Sequence, residues 1–207
     1  MARLGMVLDL KRCIGCHACT IACKAENATP PGVFWARVLE REEGKYPTAR
    51  RVFFPVLCNH CKDPPCQTVC PTGATTKRAD GIVMVDYEKC IGCRACMTAC
   101  PYQARFFLKE IKGYYAGVGD TPKDYLTPYE KVGYAKFRKG TVTKCTFCEH
   151  RLAQGLEPAC VQTCITKARI FGDLDNPESE VRLAMRDRHA FQLRSELGTD
   201  PSVYYIA

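Results

Sequence analysis

Sixteen of the 207 residues are cysteine, and they fall into four close groups with none left over. In chain order these are Cys13, Cys16, Cys19 and Cys23; Cys58, Cys61, Cys66 and Cys70; Cys90, Cys93, Cys96 and Cys100; and Cys145, Cys148, Cys160 and Cys164. Their spacings read C-x2-C-x2-C-x3-C, C-x2-C-x4-C-x3-C, the first pattern again, and C-x2-C-x11-C-x3-C. Thiols this close in sequence make strained or redundant disulfides. Residues Met1 to Lys11 alternate like a strand instead of forming a signal peptide's apolar run, which also argues against a secreted disulfide scaffold. Zinc needs two close pairs per ion, so the third cysteine of the first and third groups would be superfluous. A zinc-rich interaction module is the alternative of a different class. Three thiolates at two-residue spacing wrap closely around one iron–sulfide cube, while a fourth, three residues on, ligates a different cluster.

That fourth-cysteine rule sets the pairing. The second and third groups lie close together, joined through an Asp80-Gly81 turn and an apolar-rich strand to Asp86, and form one ferredoxin unit. Its predicted sets are Cys58, Cys61, Cys66 with Cys100, and Cys90, Cys93, Cys96 with Cys70. Pro71 and Pro101 follow the crossing cysteines. The outer groups then pair across the whole chain, Cys13, Cys16, Cys19 with Cys164, and Cys145, Cys148, Cys160 with Cys23, although Lys24 and Ile165 stand where prolines are expected. The predicted fold is α+β: two intertwined bacterial ferredoxin-like [4Fe-4S] units with a partner-facing insertion and a C-terminal tail. The predicted domains are an outer unit of residues 1-56 plus 141-171, an inner unit of 57-108, an insertion of 109-140 and a tail of 172-207.

Local patterning predicts strands over Leu4 to Leu8, Val33 to Glu40 and Val52 to Leu57, and a short helix over Ala18 to Glu26. Gly15 and Gly92, inside the two Cys-Ile-Gly-Cys segments, let the backbone approach inorganic sulfur. Between Lys109 and Thr143 there is no cysteine but a run of aromatics, Tyr114, Tyr115, Tyr125, Tyr129, Tyr134 and Phe137, read as a partner-facing loop. Pro177-Glu178 opens a short helix through Val181 to Met185, and Val203 to Ile206 is extended. The tail has no candidate chemistry, and either caps the fold or docks on a neighbour.

The formal charge of +8 suits nucleic acid at first sight. There is neither a Cys/His finger spacing nor a recognition-helix signature, so no nucleic-acid partner is expected. If sixteen thiolates hold four cores of charge +2, the sites contribute −8 and the loaded chain is near neutral. Lys11, Arg12, Lys24, Lys62, Lys89, Arg94, Lys144, Arg151 and Lys167, beside the cysteines, are expected to offset thiolate charge in the interior. No window approaches 18 consecutive apolar residues, and the chain is expected neither to span a membrane nor to export itself without a partner. His17, His60, His150 and His189 read as packing or hydrogen-bonding groups, because nothing pairs one with a nucleophile.

The chain resembles the iron–sulfur electron-transfer subunit of the molybdopterin oxidoreductase family that includes dimethyl-sulfoxide, nitrate, thiosulfate and polysulfide reductases. The quartet spacing carries the broad resemblance over almost the whole chain. Similarity to the polysulfide/thiosulfate branch rests on Cys13-Ile14-Gly15-Cys16-His17-Ala18-Cys19, Pro30-Pro31-Gly32-Val33-Phe34, Cys66 to Gly73, Lys144-Cys145-Thr146-Phe147-Cys148-Glu149-His150-Arg151-Leu152, and Phe171 to Ser179. The resemblance implies an accessory subunit with no catalytic residue and no molybdopterin of its own. Its partners would be a large molybdopterin-containing catalytic subunit and an integral membrane quinol/quinone subunit. The implied order from molybdenum to membrane is Cys13, Cys16, Cys19, Cys164; then Cys23, Cys145, Cys148, Cys160; then Cys58, Cys61, Cys66, Cys100; then Cys70, Cys90, Cys93, Cys96. Some relatives lack the cysteine corresponding to Cys93 and hold a three-iron cluster there. Cys93 is present, so four [4Fe-4S] clusters are expected. The implied location is the cytoplasmic membrane's periphery, through a partner, with the periplasmic face favoured. A hydrogenase or formate dehydrogenase electron-transfer subunit is the alternative within the class.

Overall fold

A computed structural model describes residues 2–207. The elements in chain order are β1 (Leu4–Asp9), α1 (Ala18–Asn27), β2 (Arg37–Glu43), β3 (Arg50–Val56), α2 (Pro65–Thr68), β4 (Thr75–Lys77), β5 (Val83–Val85), α3 (Ala95–Thr98), β6 (Phe106–Phe107), α4 (Pro128–Tyr134), β7 (Val142–Thr143), α5 (Glu149–Leu152), α6 (Ala159–Gln162), β8 (Arg169–Asp173), α7 (Glu180–Asp187) and β9 (Val203–Ile206). Helices and short strands coexist in one α+β fold with four small sheets. Short elements suit the sequence, since each cysteine loop takes up chain that would otherwise extend a helix or strand.

The central sheet gathers segments distant in sequence. β1 lies between β8, antiparallel in register Leu4↔Asp173 to Leu8↔Arg169, and β9, parallel in register Met6↔Val203 to Asp9↔Ile206. Both neighbours shield β1, and Met6, Val7 and Leu8 have no exposed surface. The other three sheets are hairpins, β2–β3, β4–β5 and β6–β7. Helices pair the way the cysteine groups do: α1 packs on α6, and α2 on α3. Between these layers a common core runs from Met6 and Leu8 through Leu57, Ile82, Leu108 and Phe147 to Tyr205. Tyr205 stacks on Phe54 at 4.8 Å and donates its hydroxyl to the Pro55 carbonyl at 3.1 Å.

Several sequence expectations shift in detail. The strand expected over Val33 to Glu40 begins only at Arg37, where pairing to Val56 starts. The Pro30-Pro31-Gly32 turn, closed by Val33 N–H to Pro30 O at 3.1 Å, sends Val33 and Trp35 into the core as irregular chain. The 109-140 segment faces inward at two of its aromatics: Tyr134 and Phe137 are buried, with Phe137 edge-on to Trp35 at 6.0 Å. Tyr114, Tyr115, Tyr125 and Tyr129 remain exposed. The tail caps the molecule. Ser179 caps α7 through Arg182 N–H, β9 completes the central sheet, and Lys62 and Asp63 N–H donate to the Asp200 and Thr199 carbonyls. Among the described residues, no helix is long and apolar enough to cross a membrane.

Candidate metal centres

None of the sixteen cysteines forms a disulfide. Two small cavities of about 20 Å³ each lie in the region of residues 57-108. One is lined by Cys58, Cys61, Cys66 and Cys100, the other by Cys70, Cys90, Cys93 and Cys96. Each therefore takes three cysteines from one group and the last of the other. In the outer region the sulfurs of Cys13, Cys19 and Cys164 lie close enough for their charges to be felt by one another, and so do those of Cys23, Cys145, Cys148 and Cys160. Cys16 sits exposed on the Cys13 loop. Cys145 also lies near Cys58, where the outer and inner sets meet.

The local chain explains these placements. Asp9 and Asp86 each stand four residues before a Cys-Ile-Gly-Cys segment. The Asp9 carboxylate accepts the N–H groups of Lys11 and Arg12 at 3.0 and 3.1 Å, and that of Asp86 accepts those of Glu88 and Lys89 at 2.9 and 3.3 Å. These side-chain turns aim the chain into the loop. Gly15 and Gly92 both hold φ of 69°. An added Cβ would strike the Phe53 ring at 2.2 Å in the first case and the Gly140 carbonyl oxygen at 1.9 Å in the second. In the other two groups His60 and Phe147 take the equivalent left-handed place, at φ of 43° and 53°, and their rings stack at 3.8 Å.

Donors surround the sulfurs. Backbone N–H groups of Thr75, Phe147 and Ala168 point at Cys70, Cys145 and Cys164 at 3.4, 3.4 and 3.2 Å. Asn27 Nδ2 approaches Cys148 Sγ at 3.5 Å, and Arg105 Nη2 approaches Cys66 Sγ at 2.9 Å. Burial, then neighbouring thiolates, pushes Cys61 up to about 12. Burial also raises Cys160 to about 11, against the pull of Arg169, and raises Cys23 and Cys145 well above the ordinary thiol range. Four sulfurs so placed ionise only around a cationic core. Among the described residues five buried side-chain polar atoms have no partner: Thr20 Oγ1, Trp35 Nε1, Asn59 Oδ1, His60 Nε2 and Arg169 Nη2. Thr20, Asn59 and His60 each adjoin a cysteine in sequence, and Nδ1 of His60 already accepts Val83 N–H at 3.1 Å, which leaves its proton on the orphaned Nε2. Thr20 Oγ1 and His60 Nε2 are donors without acceptors beside thiols, which fits a core carrying acceptor sulfides; Asn59 Oδ1 is an acceptor and adds nothing to that fit. Among the described residues no three or more His, Cys, Asp or Glu side chains converge as a single ion requires. Each inner cavity is nonetheless lined by four cysteines, the ligand number of an iron–sulfide core.

Of the basic residues expected inside, only Lys144 is buried. Lys11, Arg12, Lys62, Lys89, Arg94 and Lys167 are exposed, and Lys24 and Arg151 are half-buried. Their long stems reach the surface, as when Arg94 lies over the Phe107 ring at 3.8 Å. The other interior cations are Arg105 and Arg169, neither of which adjoins a cysteine in sequence. Each stands five residues past a crossing cysteine, Cys100 or Cys164, a signal visible only once the crossing is drawn. His17 and His150 pair with Glu40 and Glu26 at 2.6 and 2.7 Å, as surface hydrogen-bonding groups.

Comparison with known proteins gives this arrangement its context. The profile of a 4Fe-4S dicluster domain matches residues 49–115 and 122–174, and a second profile of the same description matches residues 12–74. The chain belongs to the 4Fe-4S dicluster family. It is 45% identical to a selenate reductase subunit of Mesobacillus selenatarsenatis, over 97% of this chain and 70% of the relative. It is 41% identical to the arsenate respiratory reductase iron-sulfur subunit of a Shewanella species, over 99% and 96%. It is 42% identical to a tetrathionate reductase subunit of Salmonella typhimurium, over 99% and 72%. As a 4Fe-4S dicluster protein the chain is an iron–sulfur electron-transfer subunit, one part of a larger oxidoreductase. Its chemistry lies in electron transfer, with bond-making left to another subunit.

Proposed function

We propose that the chain holds four [4Fe-4S] clusters in a row and connects a large molybdopterin-containing catalytic subunit with an integral membrane subunit that exchanges electrons with quinone. The proposed ligand sets are the crossed ones: Cys13, Cys16, Cys19, Cys164; Cys23, Cys145, Cys148, Cys160; Cys58, Cys61, Cys66, Cys100; and Cys70, Cys90, Cys93, Cys96. They divide an outer unit, 1-56 plus 141-171, from an inner unit, 57-108. Each cluster, when bound, supplies one-electron exchange with no covalent change in the protein.

The observation that carries this reading is where the sulfurs meet solvent. Cys16 and Cys93 are the exposed cysteines, and they belong to the first and last sets; in the two middle sets every cysteine is buried except the partly buried Cys100. Beside the exposed sulfurs stand exposed Ile14 and Ile91. That is the pattern of a conductor with two ends, each with an apolar rim for a partner. The polypeptide's own work is to keep water from the middle sets, several of whose cysteines share a buried core with Phe147 and Tyr205, and to aim donors at sulfur. Similarity to subunits named for selenate, arsenate and tetrathionate reductases supports a catalytic partner acting on chalcogen or arsenic oxyanions, with sulfur-compound respiration favoured. In this proposal the Cys16 end meets the catalytic partner and the Cys93 end the membrane partner, at the membrane's periphery with the periplasmic face favoured, as the resemblance to the molybdopterin oxidoreductase family implies.

Iron and acid-labile sulfide in anaerobically isolated protein test the count: sixteen of each is expected, and zinc without sulfide would sink the proposal. Serine at Cys164 should perturb the cluster of Cys13 and Cys19, and serine at Cys23 the cluster of Cys145 and Cys160, in paramagnetic spectra of loaded variants. The opposite assignment would remove the crossing.

A further inference from the structure

Three basic residues are fully enclosed among the described residues: Arg105, Lys144 and Arg169, with 4%, 1% and 4% exposure. Four cysteine sets in a row have three gaps, and each gap holds one of these cations. Arg169 Nη1 lies 3.8 Å from Cys160 Sγ, and its charge also bears on Cys19 and Cys13 of the first set. Its Nη2 is buried with no partner. Lys144 precedes Cys145 in the chain, donates to the Cys145 carbonyl at 2.6 Å, and bears on Cys66 of the third set. Arg105 donates Nη2 to Cys66 Sγ at 2.9 Å and Nη1 to Thr75 Oγ1 at 3.1 Å, and it bears on Cys96 of the fourth set. No carboxylate pairs with any of the three. A buried charge without an acidic partner is costly, so what compensates these cations is the sulfur on either side.

We propose that Arg169, Lys144 and Arg105 are junction cations, each stabilising the reduced state of both clusters it separates and thereby setting their potentials. This rests on the four-cluster reading above. A reduced cluster carries one more negative charge than an oxidised one, and a fixed cation between two clusters favours that charge on either side. With a cation in each gap, an electron leaving one cluster stays beside the same positive charge when it reaches the next. Oxidation of one cluster and reduction of its neighbour then balance, with no proton and no bond change. The cations are positioning residues: they act on the potentials of groups held by others.

The test is a potentiometric titration of the full holo-protein followed by paramagnetic resonance, with iron measured first. Sixteen irons and four titrating signals in the wild type establish the underlying reading, so failure there is distinguishable from failure of the junction role. In Arg105→Gln, the third and fourth clusters should each become at least tenfold harder to reduce, a downward shift of about 59 mV for one electron, while the first and second move less than threefold. Arg169→Gln should give the mirror result in the first and second. Arg105→Lys should bring both inner potentials back to within threefold of wild type. A shift confined to one cluster of the pair, or none in fully loaded Arg105→Gln, would overturn the proposal. Should the Gln variant lose iron, the Lys variant decides: potentials held within threefold support a role for charge, and a tenfold drop with charge retained refutes it.

Discussion

At the scale of single residues, the most economical device is Asp9. It has no exposed side-chain surface, pairs with Arg188 and Arg12, and turns the chain into the first cysteine loop through Lys11 and Arg12 N–H. Burial opposes its ionisation, but the Arg188 hydrogen bond and the backbone donors outweigh this and hold its carboxyl below the ordinary value of 3.8. A group depressed in the folded state stabilises fully above the unfolded pKa, and loses that contribution only as pH falls through the folded one. Asp9→Asn, which keeps the turn and loses the charge, should therefore cost about 1–3 kcal/mol. The cost should be constant from pH 8 to pH 5. Thermal unfolding of loaded wild type and variant under argon measures it, and a cost that vanishes at pH 5 would contradict the assignment. Residues like this were the hardest to read in the sequence. The cysteines announce themselves by spacing, but Arg105 and Arg169 carry no local pattern. Arg105 finds Cys66 across 39 positions and Arg169 finds Met6 across 163, so their burial follows from which segments meet.

At the scale of elements, the two Cys-Ile-Gly-Cys loops are the rigid parts. Gly92→Ala should strain a left-handed backbone by about 1–2 kcal/mol. It also places a methyl group against the Gly140 carbonyl, which belongs to main chain and cannot swing aside. Iron content should fall, with the signal of the Cys90, Cys93 and Cys96 loop lost first. Gly155→Ala, at φ of 71° with nothing within 4 Å, isolates the backbone cost alone and should leave iron intact. Equal iron loss in both would show that the contact with Gly140 is unimportant. The elements themselves were largely legible: β1, α1 and β9 follow from alternation and helical spacing, and α7 from the Pro177-Glu178 opening, although it starts at Glu180 with Ser179 as its cap. The inward turn of Tyr134 and Phe137 was not, because a tyrosine-rich stretch without periodicity reads the same whether its rings face Trp35 or solvent.

At the scale of the whole molecule, the common core is threaded by cysteine loops on every side, and nine of the cysteines are themselves buried. Removing iron should therefore cost more than redox function, because uncompensated thiols and orphaned donors are left inside. Anaerobic chelation should raise protease sensitivity and broaden thermal unfolding. An unchanged digestion pattern after verified iron loss would mean that the loops are held by the polypeptide alone. The place of β1 between β8 and β9 has one more consequence, which concerns the order of synthesis. During synthesis β1 finds its two neighbours only when residues 169–173 and 203–206 follow, whereas the segment from Cys58 to Cys100, which lines both inner cavities, is made between them. On the proposed pairing a growing chain carries Cys13, Cys16 and Cys19 unfinished until Cys164 arrives, so assembly would proceed from the middle outward, with β9 closing the central sheet after it.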